Sequence, residues 1–432
     1  MILPWLIEFR ESERSRWSLF RALGAVSVIL CALWSSMEGH AQDSQKSAFE
    51  LSLTLSLEGA VLTSGDRAWN RSEERVVLDL PVSLNLDTLT GLPLGLIAAQ
   101  GQLIREDRDL AKGSPLVDDS HAYSNLRAED RTQLFEIYWE KGWGGLTTRL
   151  GKLDANDHFA VCEHETLLIN GAAGYSPSIW GLPSYPDSAW SVQLDYKHPR
   201  FHALAAVFDG GSTTVNPTPT GQRFWLSDQA LDGGLLWITQ VTGRFGTLEQ
   251  SGEEKEMSAP YSLSLGAWSH RGEAYRAPEL AEDDEGEGSW GIYLTGDLKL
   301  LSTSRGGEVG LGLQAAISPH LHPLHLATAI TWTQVSPPLL SAEDGLWLAL
   351  GFSHLSLADR WEHLGTPRAD SERLLELTAA LPITELFTFS VSWISIWGGV
   401  LEEREAHLLV GRVVLTTPSL DDEEMIIERD LE

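Results

Sequence analysis

The feature that most constrains the fold is an alternation of apolar and polar residues with a period of two. It is clear in residues 49–58 and again in 76–87, and nine further segments between 134 and 415 repeat it. Successive side chains of a β-strand point to opposite faces, so each segment is predicted to be a strand with one apolar face. Segments 201–208 and 235–245 are mixed and give no phase. The chain is predicted to be all-β, with well over ten strands in antiparallel meander order.

Two architectures use such strands. In a soluble sandwich the apolar faces form the core, whereas in an outer-membrane barrel they face lipid and the polar faces line the lumen. Polar connections alternate between short turns, as at 87–91 and 141–145, and long loops, as at 106–131 and 271–289. Tryptophan (17) outnumbers phenylalanine (12) and recurs at strand ends, where membrane barrels carry aromatic girdles. These features favour a transmembrane antiparallel β-barrel over a soluble sandwich, with short periplasmic turns and longer external loops.

The N-terminal residues indicate export. An apolar run at 22–34 is preceded by several arginines and followed by Gly39-His40-Ala41, with small residues where a signal peptidase reads. The run is shorter than the about 20 residues that a spanning helix needs, although an uncleaved anchor is the alternative. We predict a signal peptide at 1–41, an outer-membrane barrel at 42–417 and an acidic C-terminal tail at 418–432. The location predicted is the outer membrane of a Gram-negative-type bacterium.

Charge and motif content exclude several classes of protein. With 61 acidic and 31 basic side chains, the net charge of -30 would repel nucleic acid. Two cysteines rule out a disulfide scaffold and a cysteine-rich zinc module. The sequence has no Gly-x-Ser-x-Gly, phosphate-loop or His-Glu-x-x-His motif, so no enzyme, cofactor or metal site is predicted. The acidic segment 154–165 could hold a hard cation, but we expect a polar inward loop in which Asp154 pins a turn.

Several short segments together resemble the carbohydrate-selective porins of the OprB type. The strongest are Leu-Phe-Glu-Ile-Tyr-Trp-Glu at 134–140 and Leu-Thr-Thr-Arg-Leu-Gly-Lys-Leu-Asp-Ala-Asn-Asp-His-Phe at 146–159. The similarity continues along most of the mature chain, at 80–95, 168–170, 177–186, 207–210, 265–270, 372–378, 398–399 and 411–412. This resemblance implies a sixteen-stranded outer-membrane barrel and passive, sugar-preferring diffusion.

A pore for neutral sugars needs hydrogen-bonding groups for hydroxyls and aromatic faces for sugar rings, while binding stays weak enough for release. With the apolar faces assigned to lipid, nine side chains are candidate lumen contacts: Arg149, Glu136, Glu140, Tyr138, Trp268, Tyr293, Trp347, Glu376 and Arg412. Arg149 beside Glu136 and Glu140 is the best candidate for a constriction, the alternative being an ion-pair network that only satisfies buried charges. Trp268 and Trp347 are candidate stacking platforms or, alternatively, aromatic filling of the wall.

The function predicted is an outer-membrane porin for passive, carbohydrate-preferring diffusion. A non-conducting barrel with a structural or adhesion role is the alternative, and a hydrolytic site in the long loops is a third. The expected partners are small neutral sugars, outer-membrane lipid, lipopolysaccharide and the barrel-assembly machinery, with no nucleic acid. The barrel is expected to be a monomer or a trimer.

Overall fold

The structure is a computed structural model of the chain. It describes residues 48–64, 72–108, 123–128, 130–174, 176–179, 182–209, 235–246, 249–251, 256–258, 260–271, 289–302, 307–318, 323–335, 345–356, 370–384, 386–398 and 405–417. The predicted signal peptide and acidic tail lie outside these residues, so both remain predictions.

Strands dominate the described residues. They are β1 (Phe49–Leu51), β2 (Thr54–Leu62), β3 (Ser72–Asn85), β4 (Leu96–Arg108), β5 (Arg131–Trp143), β6 (Leu146–Leu153), β7 (Ala189–His198), β8 (Phe201–Asp209), β9 (Leu235–Phe245), β10 (Glu249–Ser251), β11 (Glu256–Ser258), β12 (Tyr261–Arg271), β13 (Ser289–Ser302), β14 (Glu308–Ile317), β15 (His325–Val335), β16 (Leu346–Ser356), β17 (Ser371–Thr384), β18 (Phe387–Gly398) and β19 (Glu405–Thr416).

Sixteen of these strands close into an antiparallel barrel. Neighbours pair in chain order from β2 to β9, β9 pairs with β12, and the order continues to β19, which pairs with β2. Closure leaves no strand edge with unpaired backbone groups, which is the condition for a sheet in lipid. β10 and β11 form a separate hairpin. β1 continues the register of β2 against β3, and the break between them faces Pro81, which has no N–H to donate.

The leucine-rich faces point outward. On β12, Leu265 is 60 % exposed and Leu263 is also exposed, whereas the alternate residues Ser264 and His270 are buried inside. A sandwich would have turned these leucines toward each other across a dry interior. The prediction of a sixteen-stranded membrane barrel is therefore confirmed.

The mixed segments that gave no phase are β8 and β9, and part of their inner faces is apolar. Phe208, Leu236 and Ile238 are fully buried inside the barrel and pack with Phe159 and Ile179 from the connection that follows β6. Where these residues lie, both faces of the strands are apolar, because one meets the outside and the other meets this connection. The two-residue alternation consequently disappears from the sequence.

The connections at one end of the barrel are short. The predicted turn at 87–91 is a short helix, α1 (Leu86–Thr90), in which Asn85 Oδ1 accepts from Thr88 N (3.0 Å). It ends at Gly91, whose φ of 70° is the left-handed conformation that favours glycine. β5 and β6 are joined by a two-residue turn at Gly144 and Gly145. No helix within the described residues is long and apolar enough to cross a membrane.

Candidate functional site

The longest described connection joins β6 to β7, and its described residues, 154–174, 176–179 and 182–188, fold into the barrel; they are called the inward loop below. It contains a 3₁₀ turn (Glu163–Glu165) and a short helix, α2 (Gly171–Gly174). Asp154 pins its two ends together, because one carboxylate oxygen accepts from Asn156 N (2.7 Å) and the other from Tyr185 N (3.1 Å). The expectation of a polar inward loop with Asp154 at a turn is confirmed.

Side chains of distant strands accept hydrogen bonds from the backbone of the inward loop. Gln240 on β9 accepts from Ala160 N (2.9 Å), and Asp297 on β13 accepts from His164 N (3.0 Å). Glu136 on β5 accepts from Asp154 N (2.6 Å). A buried loop has backbone N–H groups that must be satisfied, and the wall supplies the acceptors. The loop therefore follows the inner wall instead of hanging free in the lumen.

Glycines in the wall make room for this close approach. A Cβ on Gly310 of β14 would meet the ring of His164, and one on Gly351 of β16 would meet the side chain of Leu168. The absence of a side chain at both positions lets the loop rest directly on the strands.

A second segment, residues 123–128, also packs inside. Its Tyr123 is completely buried and accepts a hydrogen bond from Arg75 Nη2 (2.6 Å). The same guanidinium binds Glu58 through Nη1 (2.6 Å), Glu106 through Nε (2.7 Å) and Glu73 through Nη2. One buried cation thus holds three carboxylates, from β2, β3 and β4.

Arg412 on β19 joins this cluster to the inward segments. Its Nη2 binds Glu58 Oε2 (2.5 Å) and donates to Asn125 Oδ1 (2.7 Å). The backbone N–H of Asn125 in turn donates to Ile169 O of the inward loop (2.7 Å). The two inward segments are therefore bonded to each other as well as to the wall.

A second group of charged side chains lies on the next strands around the barrel, β5 to β8. Arg149 on β6 binds Glu140 through Nε (2.6 Å) and Asp195 on β7 through Nη1 (3.3 Å), and Asp195 also meets His202 Nε2 (2.6 Å). The side chain of Arg149 is 11 % exposed and that of Glu140 is 28 % exposed. These four residues, Arg149, Glu140, Asp195 and His202, are called the arginine cluster below.

The inward loop carries two further polar side chains after Asp154. Burial lowers the pKa of His158 to about 4, and the positive charge of Arg149 adds to the shift, so His158 is neutral at physiological pH. The residue before it, Asp157, is exposed.

The nine residues selected from the sequence all lie on inward faces, but they divide into two groups. Trp268 and Tyr293 are buried in the apolar cluster beneath the inward loop, and Glu376 is buried against the loop itself. Glu136 is also covered, bonded to the start of the loop. Those that still reach solvent are Arg149, Glu140, Tyr138, Trp347 and Arg412.

The sequence analysis did not find the cluster around Arg75. This cluster can be recognised only when the pairing register of β2, β3 and β4 is known. That register places Glu58 and Glu106 directly opposite Arg75, one on each neighbouring strand. His202 was missed because it lies in a segment without a clear alternation.

Comparison with known proteins agrees with this architecture. A family model described as carbohydrate-selective porin, OprB family, matches residues 74–335, well over half of the chain. The chain belongs to the OprB family. The resemblance drawn from the sequence is confirmed.

Solved structures place the OprB-family chain among porin folds. The high-pH structure of Pseudomonas putida OprB is similar over 86 % of this chain and 94 % of that one, with a TM-score of 0.68 and 14 % identity. Salmonella typhi OmpF in complex with daunomycin is similar over 85 % of this chain and 97 % of that one, with a TM-score of 0.53 and 8 % identity. At such low sequence identities, the structural similarity establishes the fold alone. No curated protein matches the sequence.

Proposed function

We propose that the protein is an outer-membrane channel for passive diffusion of small neutral sugars. The observation that carries the proposal is the arginine cluster on the inner face of the closed barrel, in which Arg149 and Glu140 keep part of their side chains exposed. Membership of a family of carbohydrate-selective porins supports the solute class.

The chemistry of these groups suits a polyhydroxylated solute. A guanidinium has five N–H donors, and the bonds from Arg149 to Glu140 and Asp195 occupy two of them. Carboxylates accept from sugar hydroxyls, and the half-buried aromatic rings of Tyr138 and Trp347 present apolar surface to sugar rings. Because the charged groups already pair with one another, a sugar would exchange bonds rather than add them. Binding would stay weak, as passage through a pore requires.

The outer face supports a membrane location. Exposed leucines such as Leu263 and Leu265 point outward, as do exposed tryptophans such as Trp237, Trp290 and Trp332. In the proposed orientation the short connections lie in the periplasm and the long ones outside. We propose no catalytic chemistry for the inner groups, whose role is to contact and release solute.

The alternative is a barrel too occluded to conduct, with a structural or adhesion role. The observation favouring it is that the inward loop and residues 123–128 occupy part of the lumen and are firmly bonded there. Liposome swelling with neutral sugars of graded size distinguishes the two functions. We expect small sugars to permeate and larger ones to be excluded, with folding checked by the different mobility of boiled and unboiled protein on a detergent gel. Failure of the smallest sugars to permeate a correctly folded barrel would eliminate the channel.

A further inference from the structure

Glu376 on β17 is a buried carboxylate whose bonds lead to the inward loop. Its side chain is completely buried. One oxygen accepts from Ile169 N (2.7 Å), and the other accepts from Asn170 N (3.0 Å) and Asn170 Nδ2 (2.7 Å). Thr378 Oγ1, from the same strand, donates to the first oxygen (2.6 Å). Three of the four bonds therefore come from two consecutive residues of the loop.

The arrangement requires an ionised carboxylate. Four donors converge on Glu376, and an ionised carboxyl group accepts on both oxygens without offering a proton. Such charge-assisted bonds are roughly twice as strong as neutral ones. In glutamine one of the two carboxylate oxygens is replaced by an NH₂ group, which would face the donors and could not accept from them. The loop would then lose bonds while its buried backbone N–H groups remained.

The direction of the hydroxyl protons supports the same conclusion. Thr378 has one hydroxyl proton and gives it to Glu376, so in its contact with Ser392 Oγ (2.7 Å) it must accept. The chain of bonds therefore runs from Ser392 on β18 through Thr378 to the carboxylate, which anchors the loop.

Glu376 acts at the part of the loop furthest around the wall from β6. The neighbouring Leu168 rests on the wall at Gly351, and Ile169 O accepts from Asn125 N of the second inward segment (2.7 Å). Residues 168–170 are thus the junction of both inward segments with the wall. A displacement here would move both segments at once.

We propose that Glu376 is a positioning residue that sets the width of the solute pathway by holding residues 168–170 against the wall. It acts through the loop and does not touch the solute. The proposal rests on the channel function proposed above, and it adds the residue that determines the size limit.

The test uses the full-length protein with Glu376→Gln. We expect the size limit in liposome swelling to shift to larger sugars and the single-channel conductance in planar bilayers to change. Heat-modifiable mobility should be retained, since the sixteen strands do not depend on these bonds. Asn170→Ala removes one donor from the loop side and leaves the wall intact, so it should shift the size limit in the same direction but less. It also serves as the second variant if Glu376→Gln does not fold.

Thr378→Val is the matched control. It removes a bond to the same carboxylate from the wall but none from the loop, so the size limit should stay at the wild-type value. A wild-type size limit in both Glu376→Gln and Asn170→Ala would overturn the proposal, as would an equal shift in Thr378→Val. Single-channel conductance tests the role of Glu376 independently of the proposed sugar function. If ions pass and sugars do not, the sugar function is wrong, but comparing the conductance of the variants still tests Glu376.

Discussion

Replacing Arg149 by glutamine should make the pore more selective for cations. The arginine lies between Glu140 and Asp195, at 2.6 and 3.3 Å, so its removal leaves two carboxylates without the cation between them. Two unit charges about 4 Å apart in water interact by about 1 kcal/mol. Removing the positive charge takes away this repulsion from a passing cation and this attraction from a passing anion, about 2 kcal/mol in total. Since about 1.4 kcal/mol corresponds to a tenfold ratio, the cation-to-anion permeability ratio should rise about thirtyfold.

The reversal potential across a planar bilayer under a KCl gradient measures this ratio. At 0.1 M salt the screening length is about 10 Å, longer than the distances involved, whereas at 1 M it is about 3 Å. The increase in cation preference should therefore be large at low salt and small at 1 M. Arg149→Lys retains the charge and is the control.

Permeation of neutral sugars tests the hydrogen bonds of Arg149 without its charge, because an uncharged solute does not respond to the electric field of the guanidinium. Arg149→Ala should therefore change the discrimination among sugars only through the lost guanidinium donors, with the barrel intact. The reasoning would be refuted if Arg149→Gln gave the wild-type reversal potential at low salt, or if an altered potential persisted undiminished at 1 M KCl. Arg149 would then only satisfy buried charges, as the alternative interpretation of the sequence held.

Two further predictions concern stability and pH. Arg75→Met removes the cation shared by three carboxylates, of which Glu58 keeps its bond to Arg412, and should lower the free energy of unfolding in urea by about 3–5 kcal/mol, whereas Lys141→Met at the exposed pair with Asp87 should cost less than about 1 kcal/mol. Burial, with the nearby carboxylate of Asp297, raises the pKa of Glu165 in the inward loop to about 8. The neutral form stabilises the docked loop, so this contribution is complete below about pH 4.5 and is lost as the pH rises through about 8. Conductance recorded from pH 5 to 9 should change near pH 8, and Glu165→Gln should abolish the change; persistence of the change in that variant would exclude Glu165 as its origin.

Period-two alternation was sufficient to predict the strands and their outward faces. Leu263 and Leu265 are exposed as predicted, because the pleat fixes which side chains share a face whatever the strand pairs with. The alternation indicated only well over ten strands, and the number sixteen came from the resemblance to the OprB family. The alternation failed at β8 and β9, where the covering loop meets apolar residues on part of the inner face.

The alternation in the sequence predicted only part of the candidate site. Inward faces followed from the pleat, so Arg149, Glu140 and Tyr138 were found. Whether an inward residue meets solute or protein depends on which part of the lumen the loop covers. Trp268 and Tyr293 lie beneath that loop, although their place in the alternation is the same as that of Arg149.

The sequence by itself determined the family, the alternating strands and the direction in which their side chains point, because these are properties of local chemistry at short separation. The tertiary structure alone decided which inner groups remain open to a solute and which hold the loop. Glu376 and Ile169 are 207 residues apart in the chain, and no local pattern records that closure of the barrel brings them together. A carboxylate on an inward face has the same local signature whether it anchors a loop or faces water.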